Sequence, residues 1–272
     1  MAIGLNDDAE AIGIGSIPSG GAGTLTDGGF AGWFAGVWLY RPTSGNSYGL
    51  TSDGYIIQGL GGAREIKLGF DNTFGGGTVA DPLLQVIFNS GGGTGATQTF
   101  ASANFLDEWV YYFFCADASN QYAGYIRYAD LGGSITDSIT RANDNAGSQY
   151  TNALVFGNNA STGTVVMGHY AYGRARYGNH DLTDVMALAQ SSAPDAGDWG
   201  FWPFDDNTDD ADDSGNGRDM TLSGTLTTET SPTLGGGGGG GDSVVWMPRY
   251  QVASGRRGRM VPSGMTPPTR PT

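Results

Sequence analysis

The chain has 272 residues, a net charge of −14 and 39% hydrophobic residues, enough apolar material for one large core, which excludes global disorder. Its single cysteine excludes an intramolecular disulfide framework, and no apolar run approaches the roughly 20 residues of a membrane-spanning helix. Glycine, at 48 residues, is far above its usual share of about 7%, so we expect many turns between short elements.

Alternating apolar and polar residues predict short β-strands along most of the chain. Glycine-rich or polar turns separate the strands at intervals of roughly 8–12 residues, which is typical of a β-sandwich. The clearest hairpin joins its two strands across the turn at residues 117–121. The predicted strands span residues 30–41, 54–60, 65–72, 83–89, 97–101, 108–116, 122–128, 134–141, 153–156 and 165–172.

One helix is predicted, over residues 181–190. Asp181 is a suitable N-cap residue, and Asp184 places a negative charge in the first turn, near the positive end of the helix dipole. The helix should end before Pro194. An apolar stripe along it is supplied by Leu182, Val185, Met186 and Leu188.

Residues 199–224 form the most specific stretch of the sequence. Trp199, Phe201 and Phe204 begin it, and aromatic residues at this spacing predict a strand with a buried face. Six aspartates follow between residues 205 and 213, and the Ser-Gly-Asn-Gly sequence after them is typical of a turn. Alternation then resumes at Met220, so the unit is predicted to be a strand, an acidic loop and a second strand.

This unit resembles the Trp-x-Phe and Asp-x-Ser-Gly-Asn-Gly motifs of laminin-G-like, concanavalin A-type jelly-roll domains. Trp38-Leu-Tyr and Leu154-Val-Phe-Gly are further motifs of the same kind, and the resemblance extends over roughly residues 29–226. It implies an all-β, two-sheet antiparallel jelly-roll sandwich with one short helix and extended terminal arms. The unit usually opens such domains but comes last here, a permuted order similar to that of some tailed-phage virion proteins.

Composition divides the chain into three parts. We expect an N-terminal arm or a loosely paired edge at residues 1–28, because this segment is rich in glycine, serine, alanine and aspartate and has weak periodicity. The jelly-roll domain is expected at residues 29–234. A glycine-rich linker and a basic Pro/Arg arm are expected at residues 235–272, beginning with seven consecutive glycines.

The C-terminal arm is basic, whereas the rest of the chain is acidic. Residues 243–272 contain five arginines and no acidic residue, so residues 1–242 carry a net charge of −19. We expect the arm to bind a neighbouring copy or another virion protein, in a homo-oligomer that is a trimer by analogy with other virion decorations; a disordered tail without function is the alternative. The pI of 4.2 argues against nucleic-acid binding. The expected partner-binding residues are Arg249, Arg256, Arg257 and Arg259.

No catalytic pattern is present in the sequence, and we expect no enzyme activity. A glucanase-type jelly roll needs two carboxylates on one strand face, in the pattern Glu-x-Asp-x-x-Glu, and none of the four glutamates lies in such a pattern. His169 and His180 are the only histidines, and no Gly-x-Ser-x-Gly motif accompanies them. A structural role is the expectation for His169.

The acidic loop is the best candidate for a metal site, although no cofactor is required by the sequence. Calcium binds six to eight oxygen atoms, which a loop of aspartate, asparagine and glycine can supply. The alternative is a solvated turn in which Asp213 or Asn216 bonds to the local backbone. The candidate calcium ligands are Asp205, Asp209, Asp213 and Asn216.

Two functions remain open on the sequence alone. The first is a non-enzymatic structural component of a phage virion, made in the host cytoplasm and decorating or cementing the capsid or tail. The second is an adhesion module that recognises glycans on the host surface, because exposed tyrosine or tryptophan side chains at the ends of loops could stack on sugars. Neither a membrane anchor nor a secretory leader is expected.

Overall fold

The structure is a computed structural model, and it describes residues 1–5, 11–14, 32–43, 54–61, 64–71, 83–88, 96–100, 105–142, 153–157, 166–205 and 211–234. Within these residues the chain forms fifteen β-strands and one α-helix. The all-β prediction is confirmed.

The elements follow one another along the chain with short strands at both ends and the helix late. In chain order they are β1 (Ala2–Leu5), β2 (Ala11–Ile14), β3 (Trp33–Tyr40), β4 (Gly54–Gly61), β5 (Arg64–Asp71), β6 (Leu83–Phe88), β7 (Ala96–Thr99), β8 (Trp109–Ala116), β9 (Asn120–Arg127), β10 (Asp137–Ala142), β11 (Ala153–Phe156), β12 (Gly168–Tyr177), α1 (Leu182–Gln190), β13 (Asp198–Trp202), β14 (Thr221–Ser223) and β15 (Thr227–Glu229).

The strands form two antiparallel sheets, as the jelly-roll prediction requires. The first sheet has the order β10-β9-β8-β3-β12-β1-β15, and β13 also pairs with β12. The second sheet has the order β14-β2-β11-β4-β5-β6-β7. The predicted hairpin is confirmed as the pair β8 and β9, in which Cys115 lies opposite Tyr122.

The structure corrects the predicted N-terminal arm in two places. Strand β1 lies between β12 and β15 in the first sheet, and β2 lies between β11 and β14 in the second. These eight residues therefore form internal strands, because each strand is hydrogen-bonded to a neighbour on both sides. Four-residue strands containing glycine give too little periodicity to be recognised. The remaining residues of 1–28, and all of residues 235–272, lie outside the described part of the chain.

Apolar side chains are buried on both faces of the first sheet. Along β3, every residue from Trp33 to Leu39 is buried, and alternate residues belong to different clusters. Trp33 and Val37 face the second sheet, in the core of the sandwich. Phe34 and Trp38 face outwards, where α1 packs on them. The outer face therefore requires a cover, and the single helix provides most of it.

Helix α1 begins and ends on specific contacts. Its N-cap is Asp181, whose carboxylate accepts a hydrogen bond from the backbone N–H of Thr183 at 2.8 Å, as the sequence predicts. Val185, Leu188 and Ala189 are buried against the outer face of the first sheet. At the C-terminal end, the indole N–H of Trp38 donates to the carbonyl of Ala189 at 3.1 Å.

The unit that begins at Trp199 connects the two sheets. Strand β13 pairs with β12 in the first sheet, whereas β14 pairs with β2 in the second. The two strands of the unit therefore belong to different sheets. This agrees with the predicted order of strand, acidic loop and strand.

We expect the fold to lose stability above pH 10. Burial raises the pKa of the Tyr111, Tyr112 and Tyr170 hydroxyls above the ordinary value of 10, so they stay neutral in the folded chain and ionise first in the unfolded one. Their contribution is therefore complete below pH 10 and is lost as the pH rises further. Tyrosinate absorbance and circular dichroism, followed through an alkaline titration, should change together, and Tyr112→Phe should shift the midpoint upwards. Normal ionisation of all tyrosines near pH 10 in a chain that stays folded would contradict this.

Candidate functional site

Three aromatic side chains form a row at one end of the outer face of the first sheet. Trp109 on β8 lies opposite Tyr40 on β3, and Tyr40 lies opposite His169 on β12. Residues directly opposite each other in antiparallel strands project from the same face. All three side chains are partly exposed. We call this set the aromatic platform.

The rings of the aromatic platform contact one another across the three strands. Tyr40 and His169 are stacked, with ring centroids 5.4 Å apart and an interplanar angle of 19°. Tyr40 and Trp109 are 5.6 Å apart and tilted by 49°. The result is one aromatic surface that spans neighbouring strands and has polar atoms on each of its rings.

The neighbouring row of the same sheet is buried, which explains why the platform is restricted to its end. Tyr111, Trp38 and Ala171 lie opposite one another in this row, and all are at most 1% exposed. Helix α1 and residues 231–234 pack on this part of the face. The packing that buries the row of Tyr111, Trp38 and Ala171 therefore does not extend fully over the aromatic platform.

Residues 231–234 cross the outer face and are fixed at two points. The Tyr128 hydroxyl donates to the carbonyl of Thr233 at 2.7 Å, and the Tyr172 hydroxyl lies 3.3 Å from the Ser231 hydroxyl. Leu234 packs against the outer-face cluster. This segment therefore covers part of the outer face beside the helix-packed cluster.

Asp107 fixes the two chain segments beside the platform. Its backbone N–H donates to the carbonyl of Arg41 at 2.8 Å, and its carboxylate accepts from the backbone N–H of Thr43 at 2.8 Å. These contacts tie the residues after β3 to those before β8, and so hold Tyr40 next to Trp109. Hydrogen bonds from Thr43 lower the pKa of Asp107, which is therefore ionised at neutral pH.

A second carboxylate, that of Glu229, lies near His169 of the aromatic platform. Glu229 follows Thr227 on β15, and Thr227 and His169 both lie opposite Gly4. Because side chains two residues apart share a face, Glu229 is on the platform's face. Burial lowers the pKa of His169. The negative charge of Glu229 acts in the opposite direction but has the smaller influence. The imidazole is therefore uncharged at neutral pH.

The acidic turn is organised by Asp212, a residue absent from the predicted calcium ligands. Its carboxylate accepts hydrogen bonds from the backbone N–H groups of Phe201, Ser214 and Arg218, each at 3.0 Å. The Asn216 side-chain amide donates to the carbonyl of Asp198 at 2.9 Å. Asn216 thus bonds to the backbone, as the alternative to a calcium site supposed.

Of the other predicted calcium ligands, Asp205 and Asp213 lie near each other. The pKa of Asp213 is raised, mainly by burial. The nearby carboxylate of Asp205 adds to this effect. Asp209 lies outside the described residues. Among the residues that the structure describes, no group of three or more His, Cys, Asp or Glu side chains could hold a metal. The calcium site remains a prediction.

The remaining predicted site residues lie elsewhere. The four arginines of the C-terminal arm are outside the described residues: Arg249, Arg256, Arg257 and Arg259. His180 pairs with Asp184, with Nδ1 and Oδ2 3.0 Å apart, at the start of α1. The sequence suggests a structural role for His169 and singles out no sugar-binding residue. Only the strand register shows that His169, Tyr40 and Trp109 are neighbours.

Solved structures are similar to this chain at low sequence identity. A candidate carbohydrate-binding protein from Bacteroides ovatus is 13% identical with a TM-score of 0.53, over 85% of this chain and 60% of that protein. The enzymatically active domain of tailspike protein 2 from bacteriophage CBA120 is 12% identical with a TM-score of 0.43, over 59% of this chain and 24% of that one. Mouse laminin α1 domains LG4-5 are 11% identical with a TM-score of 0.42, over 64% of this chain and 40% of that one.

The chain has a lectin-like jelly-roll fold. The similarity to the Bacteroides protein supports this assignment and extends over most of the described strands. The chain covers less than two thirds of the length of each of these proteins. No protein-family model and no curated protein sequence matches it. In the described part of the chain, no helix is long and apolar enough to cross a membrane.

Proposed function

We propose that this chain is a non-enzymatic carbohydrate-binding domain and that the aromatic platform is its sugar contact. The observation that carries the proposal is the contiguous row of Trp109, Tyr40 and His169, partly exposed on a sheet whose adjacent row is buried. Sugars present apolar C–H faces that pack on aromatic rings, and hydroxyls that bond to polar atoms at the ring edges. The platform offers both.

The proposal of binding without catalysis has its own support. Asp107, the carboxylate beside Tyr40, accepts hydrogen bonds from Thr43 and acts as a structural clamp. Glycosidases need two carboxylates at a fixed separation across the scissile bond. The glutamates of the sequence do not occur in the glucanase pattern. Sugar recognition is the chemistry that the platform supports best.

Replacing Trp109 with alanine is expected to weaken sugar binding at least tenfold, which corresponds to about 1.4 kcal/mol. The substitution removes the largest ring of the platform and leaves the buried row intact. Ligands are first found by applying the full chain to a glycan array, and their affinities are then measured by titration calorimetry. Thermal unfolding of the variant checks that the fold is retained.

Tyr122→Ala is the matched control for this experiment. Tyr122 is also a partly exposed aromatic residue on the outer face, but it lies opposite Cys115, towards the other end of β8. Its hydroxyl donates to Asp117, at 2.8 Å. We expect Tyr122→Ala to bind sugars like the unmodified chain. Equal losses in the two variants, or no loss in Trp109→Ala, would contradict the proposed site.

We also infer that this domain belongs to a phage particle, as a decorating or cementing component of the capsid or tail. The observation that favours this role is the charge distribution: residues 1–242 carry −19, whereas residues 243–272 contain five arginines and no acidic residue. Opposite charges on two parts of one chain favour contacts between copies or with other particle proteins. Mass spectrometry of purified particles should find many copies, and their absence would exclude this role.

A further inference from the structure

We infer that the aromatic platform selects sugars that carry a free, positively charged amino group. This inference rests on the proposed function and specifies the substrate class of the same site. It comes from the charges around the platform, from the state of His169, and from the affinity of aromatic faces for cations.

Two carboxylates lie beside the platform, one near Tyr40 and one near His169. Asp107 lies two residues before Trp109 and is hydrogen-bonded to the chain just after Tyr40. Glu229 lies on the same face beyond His169, and the Thr227 hydroxyl donates to it at 3.1 Å. A cationic ligand on the three rings would therefore have two negative charges nearby.

The arginines on the same face of the first sheet are engaged away from the platform. Arg174 is 1% exposed and pairs with Asp198, and Arg176 pairs with Asp195 at 3.2 Å. Two more arginines near this end of the sheet also have partners: Arg127 contacts Glu108 at 3.0 Å, and Arg41 lies 4.3 Å above the buried Phe70 ring. These four arginines thus make their described contacts with groups other than the platform.

The uncharged imidazole of His169 adds no repulsion. Burial, the larger influence, lowers its pKa, while Glu229 and the stacked Tyr40 are the polar groups that face it. At neutral pH the platform is then three neutral rings with two carboxylates beside them. A cation above such rings is attracted by their π-systems.

These features together define the ligand class. A hexosamine with a free amine can place its C–H face on Tyr40 or Trp109 and its ammonium group towards Glu229 or Asp107. An N-acetylated sugar can make the first contact only. Polymers of uronic or sialic acids would meet repulsion from both carboxylates. Deacetylated glucosamine polymers represent the favoured class.

The test compares three probes on the full chain by titration calorimetry: a glucosamine oligomer, its fully N-acetylated counterpart and an oligogalacturonate of equal length. We expect the glucosamine oligomer to bind at least tenfold more tightly than the acetylated one, and the acidic oligomer not to bind. Glu229→Gln should remove most of that preference while leaving the affinity for the acetylated oligomer unchanged. Glu108→Gln, a control at a carboxylate paired with Arg127, should preserve the preference.

The outcomes separate this inference from the proposed function. Equal affinities for the amino and acetylated oligomers, both lost in Trp109→Ala, would overturn the amino-sugar selection and leave the sugar site standing. Tighter binding of the oligogalacturonate would also overturn it. Failure of every glycan on the array to bind would overturn the proposed function itself. A preference abolished by Glu229→Gln and retained in Glu108→Gln supports the inference.

Discussion

Replacing Asp198 with alanine is expected to lower the free energy of unfolding by about 3–5 kcal/mol, because it leaves the buried Arg174 guanidinium without its counter-charge. The Nε atom of Arg174 lies 3.2 Å from Oδ1 of Asp198, and neither side chain is more than 1% exposed. Arg176 approaches the same oxygen at 3.5 Å. Burial raises the pKa of Asp198, and Arg174 opposes this most strongly.

The effect should extend to the attachment of the helix. Arg174 donates to the carbonyl of Leu188 at 3.1 Å and to the carbonyl of Ala193, and its guanidinium lies 4.8 Å above the Phe201 ring. One side chain on β12 therefore holds the C-terminal end of α1 and the chain that follows it. Losing the orientation of Arg174 would loosen the cover of the outer face.

Two variants test whether charge burial is the cause. Asp195→Ala removes the more exposed partner of Arg176 and should cost no more than about 1 kcal/mol. The double variant Arg174→Met with Asp198→Leu removes both charges and should be less destabilised than Asp198→Ala. Unfolding in urea provides the free energies. A loss below about 1 kcal/mol for Asp198→Ala would refute the buried-charge explanation.

The second large effect is expected at Asp212, in the acidic turn. Asp212→Ala should destabilise the fold by about 2–3 kcal/mol, because three backbone N–H groups lose their acceptor and that of Phe201 is buried. Chemical unfolding measures the change. The turn should also become more susceptible to proteolysis, since these contacts hold residues 211–218 against β13.

The neighbouring Asp213 is a natural control. Its pKa is raised by burial and by the nearby Asp205 and Asp212, so its negative charge is unfavourable in the folded chain. Asp213→Ala should therefore leave stability unchanged or slightly increased. Equal losses for the two substitutions would show that the turn is held by its overall composition and not by the Asp212 carboxylate.

Much of the fold could be predicted because the relevant signals are local. The Asp181 cap, the stripe on α1 and the β8–β9 hairpin each depend on residues close together in sequence. Strand β12 was predicted to end near residue 172 but continues to Tyr177. Arg174 and Arg176 interrupt its apolar alternation, and their burial depends on Asp198, which is distant in sequence.

The candidate site could not be predicted in this way. Tyr40, Trp109 and His169 come from three separate strands, and only the long-range register places them in one row. Each residue alone is compatible with an ordinary core or edge position. The role of Asp212 was missed for a related reason, since six aspartates close together in sequence do not reveal which one turns inwards.

The positions of β1 and β2 have a consequence for how the molecule is made. Residue 2 pairs with residue 229, and residue 12 pairs with residue 222. Strands near the start of the chain therefore have pairing partners that are synthesised more than 200 residues later. During synthesis on the ribosome, the strand pairing of neither sheet is complete until β14 and β15 have emerged. The half-built sheets therefore expose unpaired strand edges throughout translation, and folding becomes a late, slow and long-range event.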